Sequence, residues 1–484
     1  MMAFSDQPLR LAIIGGGFTG AALAIYAAKA SVRPLSIEMI EPAARLGYGA
    51  AYGASDQAHR INVPSDRMSL FREDPTHFTR WLFDHGRLPD RESTDEFGRH
   101  YVPRSAFGDY VADSLNCVLA RSRFVVEMRR RRAKAIALRR ETSIWRIDLS
   151  DGVSLTADAV ALCTGHSAGA PCPISAGALR HRGLVLNPWA PGALDRIQRR
   201  DRVLIVGTGL TMADVVATLD RAGHEGPIKA VSRHGLLPRR HGLFVDLDLL
   251  DGEAPPQTAL ELLRLIRRRV RQCPGKADWQ SVVDALRVRL PEIWPALPAA
   301  ERRRAARRLL PFWEVHRFRI SPQAAVSIER ALARKSLTIE RAGLISLDSR
   351  HGALDANLRM RGGASIWRAY DSIILCVGPA KDLRADPLFA NLLDRGLARM
   401  DEVGLGLDVD PLGRVRDGEG DPQRGLFAIG PMTRGSFGEM TGAPDIVRHI
   451  ERVIGKLISA ESAPRGKARD SREIDVGVTS LRFP

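Results

Sequence analysis

Two glycine-rich segments are the parts of this sequence best suited to hold a reactive group. The first places Gly15, Gly17 and Gly20 in a G-x-G-x-x-G spacing directly after an apolar run, 9–14. Glycines at this spacing allow a tight turn, a close approach of the backbone to a pyrophosphate, and a tight contact between helix and strand. The N–H groups that begin the following helix would then bind the phosphates. The segment therefore predicts a dinucleotide site.

An acidic residue follows the first glycines at the distance expected for a ribose ligand. A second apolar run, 35–40, is followed by Glu41, which lies 21 positions after Gly20. A carboxylate at this place binds ribose hydroxyls in dinucleotide-binding folds. Thr19, inside the glycine turn, is a further predicted contact of the same cofactor.

The second segment repeats the pattern. Gly207 and Gly209 follow the apolar run 202–206, and a helix is expected over 213–222. Met212 takes the third position of the pattern, where glycine or alanine is usual. We therefore expect looser packing of helix on strand at this site than at the first one.

The charge after the next predicted strand distinguishes two cofactors. Strand 227–231 is followed by Ser232 and Arg233, where NAD-binding folds carry an acid. An arginine suits a ribose 2′-phosphate, which favours NADPH over NADH, with Arg239 and Arg240 as further candidates. The alternative is that Arg233 is a solvated strand end. Two such sites on one chain predict FAD in the first and NADPH in the second, with hydride passing from nicotinamide to flavin.

Two sheets are needed to position these sites. We predict an α/β fold with two dinucleotide-binding Rossmann-like domains, as in a glutathione-reductase-like two-domain flavoprotein. Segments 158–165 and 371–378 share one form, an apolar run followed by a small residue and a glycine, and are expected where the chain passes between the domains. The predicted FAD-binding domain comprises residues 1–195 and 371–460, and the NADPH-binding domain residues 196–370.

Residues at the ends of predicted strands complete the expected cofactor contacts. A helix start after residue 442 would place its positive end at the flavin pyrimidine, although simple capping with a first-turn proline explains the same pattern. The contacts predicted at these ends are Thr164, Gly165, Gly430, Thr441 and Gly442.

A helical block, 257–334, interrupts the second predicted domain. It is either a substrate lid or an insertion that covers the sheet. Trp313, His316 and Arg317 lie within it, and their residue types suit a substrate contact as well as amphipathic packing. The polar tail, 461–484, is expected to be mobile.

Composition excludes several classes of protein. The 484 residues are 44% hydrophobic and 26% charged, as in globular proteins. The net charge of +16 is not accompanied by a zinc finger or an RNA-binding motif, so no nucleic-acid partner is expected. Five cysteines without a C-x-x-C pair argue against a disulfide scaffold, a zinc ribbon and a thioredoxin-type dithiol, and no metal site is predicted. The uncharged run 11–28 fits a buried strand, turn and helix better than a signal peptide, so a cytoplasmic protein without a membrane span is expected.

Longer motifs resemble those of a known family. They are L-G-Y-G-A-A-Y at 46–52, I-N-V-P at 61–64 with Met68, H-F-T-R-W-L at 77–82, Y-V-P-R-S-A-F-G at 101–108 and G-T-G-L-T-M-A-D at 207–214. The chain thereby resembles FAD/NAD(P)-binding proteins that include a bacterial FAD-dependent urate hydroxylase and a nitrosuccinate-forming L-aspartate N-monooxygenase. It is more distantly similar to class B flavin monooxygenases and to ornithine and lysine N-hydroxylases.

The resemblance extends to about residue 455 and implies site residues. It implies FAD at the first glycine turn, with Asn62, Val63, Pro64 and Met68 near the flavin ring, and NADPH at the second turn and Arg233. The F-x-G-x-x-x-H-x-x-x-W signature of class B monooxygenases is absent. No catalytic side chain is assigned, because the cofactors carry the chemistry.

Three functions remain open at this stage. The leading one is an NADPH-dependent monooxygenase that uses a flavin C4a-hydroperoxide to hydroxylate a small, polar, nitrogen-containing substrate, with O₂ as co-substrate. The second is a flavin-dependent NAD(P)H reductase or dehydrogenase without oxygen insertion. The third is a non-catalytic flavin-binding redox sensor. The substrate and the oligomeric state stay open.

Overall fold

The computed structural model describes residues 7–122, 125–165, 172–242, 245–272, 278–378 and 382–459, so the tail expected at 461–484 lies outside it. The strands are β1 (Leu9–Ile14), β2 (Leu35–Ile40), β3 (Val126–Arg131), β4 (Ala135–Glu141), β5 (Ile144–Leu149), β6 (Ser154–Ala157), β7 (Ala159–Leu162), β8 (Leu184–Val185), β9 (Val203–Val206), β10 (Ile228–Ser232), β11 (Leu337–Arg350), β12 (Ala353–Met360), β13 (Ser365–Tyr370), β14 (Ser372–Leu375), β15 (Arg414–Arg416) and β16 (Pro422–Ala428). The helices are α1 (Phe18–Ala30), α2 (Gly49–Tyr52), α3 (His77–Asp84), α4 (Arg104–Ser122), α5 (Ala176–Arg180), α6 (Leu210–Arg221), α7 (Ala259–Gln272), α8 (Asp278–Ala296), α9 (Ala299–Arg308), α10 (Leu310–Arg317), α11 (Pro322–Ala333), α12 (Pro387–Asp394), α13 (Arg434–Phe437) and α14 (Ala443–Ile458).

The first sheet has the strand order β15-β16-β7-β1-β2-β3. All of its neighbours are parallel except β15, which is antiparallel to β16 at the edge. The central strands β1 and β7 are nearly continuous apolar runs, because both faces of a parallel sheet are covered. Helices α1, α4 and α14 contribute to this core, as does the antiparallel sheet β4-β5-β6.

The second sheet has the order β13-β12-β11-β10-β9-β14-β8. Strands β8 to β11 run parallel, and β11 continues into an antiparallel meander with β12 and β13. Helices α6 and α11 cover one face of this sheet, while side chains of β12 and β13 close a second apolar cluster. The chain therefore contains the two predicted Rossmann-like sheets.

The two sheets begin in the same way. Arg10, at the start of β1, pairs with Asp158 through its backbone N–H at 2.9 Å and its Nη2 at 2.8 Å. Arg202, just before β9, makes the same pair with Asp371, at 2.8 Å and 2.9 Å. The common form of segments 158–165 and 371–378 thus has a structural cause. Each segment supplies the strand that pairs with the strand leading into a glycine turn, β7 beside β1 and β14 beside β9.

Sheet membership corrects the expected domain limits at 195 and 371. Strand β8 lies before residue 195, and β14 lies after residue 371, yet both belong to the second sheet. Segment 371–378 is therefore not the start of the second part of the FAD-binding domain. Strand β9, which leads into the second glycine turn, lies inside its sheet and is paired on both sides. Strand β10 is one neighbour of β9, and β14 is the other.

The predicted helical block divides into two parts. Helices α7 to α10 form a separate apolar cluster that includes Leu262, Leu286 and Ile293. This cluster contacts the last part of the chain, where the Trp294 Nε1–H donates to the Gly435 carbonyl at 2.7 Å. Helix α11 packs on the second sheet instead. Of the described helices of this block, only α11 therefore covers the second sheet. The larger part, α7 to α10, contacts the first domain.

Candidate functional site

The first glycine turn lies at the carboxyl end of β1, beside the end of β7. Gly15 has φ +103°, and a Cβ added to it would lie 2.4 Å from the Cys163 carbonyl oxygen. A Cβ on Gly20 would lie 1.9 Å from the Gly15 carbonyl oxygen, so helix α1 can approach the turn only without a side chain there. Gly17 is the N-cap of α1 and has no side-chain cap, which leaves the first N–H groups of the helix for a ligand.

Glu41 lies against this turn. Its carboxylate accepts hydrogen bonds from the N–H groups of Gly16 and Ala43, each at 2.8 Å. Each carboxylate oxygen keeps a second lone pair, and the side chain is only half-buried. The carboxylate is therefore fixed beside the turn and still able to accept bonds from ribose hydroxyls.

Two other predicted contacts lie at the same edge of the sheet. Gly430 has φ +89°, and a Cβ added to it would lie 2.9 Å from Thr19 Oγ1, which places this glycine directly beside α1. Thr164 follows β7, and its buried hydroxyl has no hydrogen-bond partner among the residues that the structure describes. An orphaned hydroxyl at this edge suits a polar group of a ligand. Gly165 follows with φ +72°.

The segment expected near the flavin ring contacts the second domain. The Asn62 carbonyl oxygen accepts a hydrogen bond from His241 Nε2 at 2.8 Å, and the His241 ring lies 5.3 Å from that of Tyr101. Burial lowers the pKa of His241 to about 4, so the imidazole is neutral at pH 7. Pro64 and Met68 are buried beside Asn62, and Val63 is half-buried. His241 was not predicted, because nothing in its local sequence indicates a partner so distant in the chain.

The second glycine turn repeats the geometry of the first. Gly207 has φ +112°, and its added Cβ would lie 2.1 Å from the Cys376 carbonyl oxygen. Gly209 is the uncapped N-cap of α6, and a Cβ added there meets no atom of the described residues within 4 Å. Met212 is fully buried in the core of the second sheet. Looser packing of helix on strand was expected at Met212, and the Met212 side chain itself fills the space between them.

The carboxyl end of β10 carries the predicted phosphate contact. Arg233 is exposed, and its carbonyl oxygen accepts a hydrogen bond from Arg341 Nε at 3.1 Å. Arg341 is exposed too and lies on β11 opposite Ser232. Two arginines therefore meet at this edge. Arg341 was missed, because only the pairing of β10 with β11 brings it there. Of the two other candidates, Arg240 pairs with Glu329 at 3.3 Å instead.

The start of α14 is surrounded by charges from the helical block. Gly442 is its N-cap, and Arg287 and Arg317 both approach the Asp445 carboxylate, at 2.8 and 3.2 Å. Burial by itself would raise the pKa of Asp445, but these two guanidinium groups hold it below its ordinary value. Thr441 donates its N–H to Glu439 Oε1 at 2.9 Å.

Helix α10 of the helical block, which carries Trp313, also contacts the segment just before α14. Trp313 Nε1 lies 3.4 Å from Glu439 Oε2, whereas His316 Nδ1 binds the Phe312 carbonyl oxygen of its own helix at 2.7 Å. Trp313 and Arg317 thus face the end of the first domain, and His316 does not. Among the described residues no group of three side chains could ligate a metal, and no helix is long and apolar enough to cross a bilayer.

Comparisons with known proteins agree with this geometry. Residues 12–167 match the family model described as FAD-NAD(P)-binding. No curated protein matches the chain. Among solved structures, the ornithine N-hydroxylase of Kutzneria sp. 744, solved with reduced FAD, NADP⁺ and L-ornithine, has a TM-score of 0.62 at 15% identity, covering 93% of this chain and 99% of that one.

Two further structures show how widely the fold is used. The cadaverine monooxygenase of Erwinia amylovora, bound to FAD, has a TM-score of 0.60 at 14% identity and full coverage of both chains, 100% each. The thioredoxin reductase of Lactococcus lactis has a TM-score of 0.52 at 11% identity, covering 93% of this chain and 98% of that one. Residues 12–167 are therefore an FAD-NAD(P)-binding domain, and the chain as a whole has the two-domain fold of FAD- and NAD(P)-binding flavoproteins.

Proposed function

We propose that this protein is an FAD-dependent oxidoreductase that oxidises NADPH and uses O₂ to hydroxylate a small, polar, nitrogen-containing substrate. One observation carries the proposal: two uncapped glycine turns of the same construction lie at the carboxyl ends of the parallel strands of two sheets on one chain. The carboxyl edge of such a sheet is where dinucleotides bind. The similarity to an ornithine N-hydroxylase and a cadaverine monooxygenase supports the choice of reaction.

The residues of both sites fit these cofactors. FAD at the first turn would be held by the N–H groups that begin α1, by the Glu41 carboxylate and by the Thr164 hydroxyl. NADPH at the second turn would be held by the N–H groups that begin α6 and by Arg233 and Arg341. The bound flavin supplies electron transfer and oxygen chemistry. The protein's part is to hold both dinucleotides, to orient them and to exclude water.

Cysteine placement argues against a thiol-based reaction. Cys163 and Cys376 are buried at the two glycine turns, and burial raises the pKa of both thiols above the ordinary value. A thiol with a raised pKa is a poor nucleophile. A dithiol relay like that of a disulfide reductase also needs paired cysteines, and the sequence has no C-x-x-C. We therefore favour oxygen chemistry over disulfide reduction.

The reaction is tested by a substrate screen. Purified FAD-loaded protein is given NADPH, O₂ and a panel of amino acids and diamines, and the N-hydroxylated product is compared with the NADPH consumed. At least one amine should raise the ratio of product to NADPH well above the background without substrate. Hydrogen peroxide measures the uncoupled reaction. Fast NADPH oxidation with peroxide or a reduced dye as the sole product for every amine would instead identify a reductase.

A cysteine variant separates oxygen chemistry from thiol chemistry. Cys163→Ser with Cys376→Ser should keep most of the NADPH oxidation rate, because neither thiol takes part in the proposed reaction. Some loss of thermal stability is expected, because two hydroxyls replace buried thiols. A folded, FAD-loaded double variant without NADPH oxidation would contradict the proposal.

Arginines at the end of β10 should determine the choice of NADPH over NADH. Removing one charge-assisted contact to a 2′-phosphate at an exposed site costs about 1.4 kcal/mol, or about tenfold in affinity. Arg233→Ala should therefore raise the KM for NADPH about tenfold and leave that for NADH nearly unchanged, and adding Arg341→Ala should raise it further. Equal losses with both nucleotides would show that these arginines serve folding. Arg350→Ala, on the far part of β11, is the matched control.

A further inference from the structure

Two residues from the longer sequence motifs meet between the domains, and the proposed function does not account for them. Arg104 begins helix α4 in the first domain, and Asp214 lies on helix α6 in the second. Arg104 Nη2 lies 2.8 Å from Asp214 Oδ2, and the two side chains are 10% and 3% exposed. This is a buried ion pair between domains.

A second polar contact between α6 and the first domain lies beside the ion pair. Thr218 lies one turn after Asp214 on the same helix, and its hydroxyl donates to Asp56 Oδ2 at 2.5 Å. His59 Nε2 lies 3.1 Å from the same hydroxyl. Asp56 and His59 belong to the first domain, so one face of α6 is held to that domain at two successive turns.

The pair is costly to bury, which indicates a role beyond stability. Burial raises the pKa of the Asp214 carboxyl, and Arg104 and His59 oppose this shift. Replacing a buried ion pair by packed apolar side chains is often neutral or stabilising. Each domain already has its own apolar core, which contains neither charge. An ion pair constrains the separation of its two partners more specifically than apolar contacts do, because its energy depends on the distance between the charges.

The pair connects α6, which begins at the second glycine turn, with α4, which packs on the helix that begins at the first glycine turn. Asp214 lies in the second turn of α6, whose N-cap is Gly209. Helix α4 packs on α1, and the rings of Phe107 and Phe18 lie 5.6 Å apart. A continuous series of contacts therefore connects the first glycine turn, through α1, α4 and the ion pair, to the second glycine turn.

We propose that Arg104 and Asp214 are positioning residues that fix the orientation of the NADPH-binding domain, and thereby the placement of the nicotinamide against the flavin. This rests on the proposed function, in which hydride passes between the two cofactors. Hydride transfer depends steeply on geometry, because the reacting atoms must approach closely. The pair should therefore control the rate of flavin reduction and leave NADPH affinity nearly unchanged.

The test uses the FAD-loaded full chain and the isosteric variant Asp214→Asn. Flavin reduction by NADPH is followed anaerobically in a stopped-flow instrument across NADPH concentrations. The limiting rate constant should fall at least tenfold, while the dissociation constant stays within twofold of wild type. Small-angle X-ray scattering of the oxidised protein without NADPH should show a larger radius of gyration, because the second domain is released.

Two further variants make the result specific. Asp371→Asn removes the carboxylate of the Arg202–Asp371 pair inside the second sheet, and it should leave both the rate constant and the scattering unchanged. Thr218→Val removes the second contact with little change of shape and should lower the rate constant about threefold. It also serves as the test variant if Asp214→Asn does not fold.

Unchanged reduction rates in folded, FAD-loaded Asp214→Asn and Thr218→Val would overturn the proposal. An equal loss in Asp371→Asn would do the same, because it would show a general effect of losing an ion pair. Failure of the wild-type protein to accept electrons from NADPH would refute the proposed function instead. In that case the scattering of the oxidised variants would still decide whether the pair fixes the domains.

Discussion

Replacing Gly209 with valine is expected to weaken the binding of NADPH in flavin reduction strongly and to leave the fold and the bound FAD intact. A Cβ at this position meets no atom of the described part of the chain within 4 Å, so the fold can accept a side chain there. The same space lies in front of the uncapped start of α6, where the pyrophosphate must approach the backbone. Valine would therefore exclude the nucleotide without disturbing the core.

The measurement is the apparent affinity for NADPH in anaerobic flavin reduction, together with the FAD content and the thermal midpoint. We expect a loss of about a hundredfold or more in affinity, equivalent to roughly 2.7 kcal/mol. Gly455→Val is the matched control, because the described residues likewise place no atom within 4 Å of its added Cβ and because it lies on the exposed side of α14. Normal NADPH affinity in Gly209→Val would remove the second turn from the proposed site.

Replacing Gly17 with valine should release the flavin. An added Cβ lies 3.2 Å from the Gly49 Cα, so the backbone must give slightly, and the valine methyl groups would then enter the space before the N-terminus of α1. The FAD phosphates would lose their approach to the free N–H groups of that helix. FAD content per chain, measured by absorbance after purification, should fall at least tenfold.

The thermal midpoint of Gly17→Val should also fall, because a bound cofactor stabilises the folded state by mass action. Gly17→Ala should be intermediate, because it adds the Cβ alone. Gly209→Val serves as the control for flavin content, because it changes the equivalent position of the other domain. A folded Gly17→Val protein with full FAD content would show that the first turn does not hold the flavin.

Local sequence was sufficient to place the two glycine turns. Strands 9–14 and 35–40 were predicted with the bounds that the structure has, and helix α1 begins within the glycine pattern. The physical reason is that these features depend on neighbouring residues. A glycine is needed where φ is positive, as at Gly15 and Gly207, or where a helix contacts a turn, as at Gly20.

Sequence was less informative about the boundary between the domains. The sequence pattern shows that segments 158–165 and 371–378 are alike, and it predicts that both are crossings of the chain between the domains. The structure shows that each is the strand that closes one glycine turn, with Cys163 and Cys376 in equivalent places. Which sheet a short apolar strand joins depends on pairing between distant segments, and periodicity does not report that pairing.

By itself, therefore, the sequence determined the two Rossmann-like folds, the order of their glycine turns and the acid and arginine that follow them. The tertiary structure alone decided the remaining contacts: Arg341 beside Arg233, His241 on the Asn62 carbonyl, and Arg104 against Asp214. Each of these contacts joins residues far apart in the chain, and a polar side chain in isolation carries no mark of its partner. Burial then makes such pairings specific, because an unmatched charge or hydrogen-bonding group in the interior is costly.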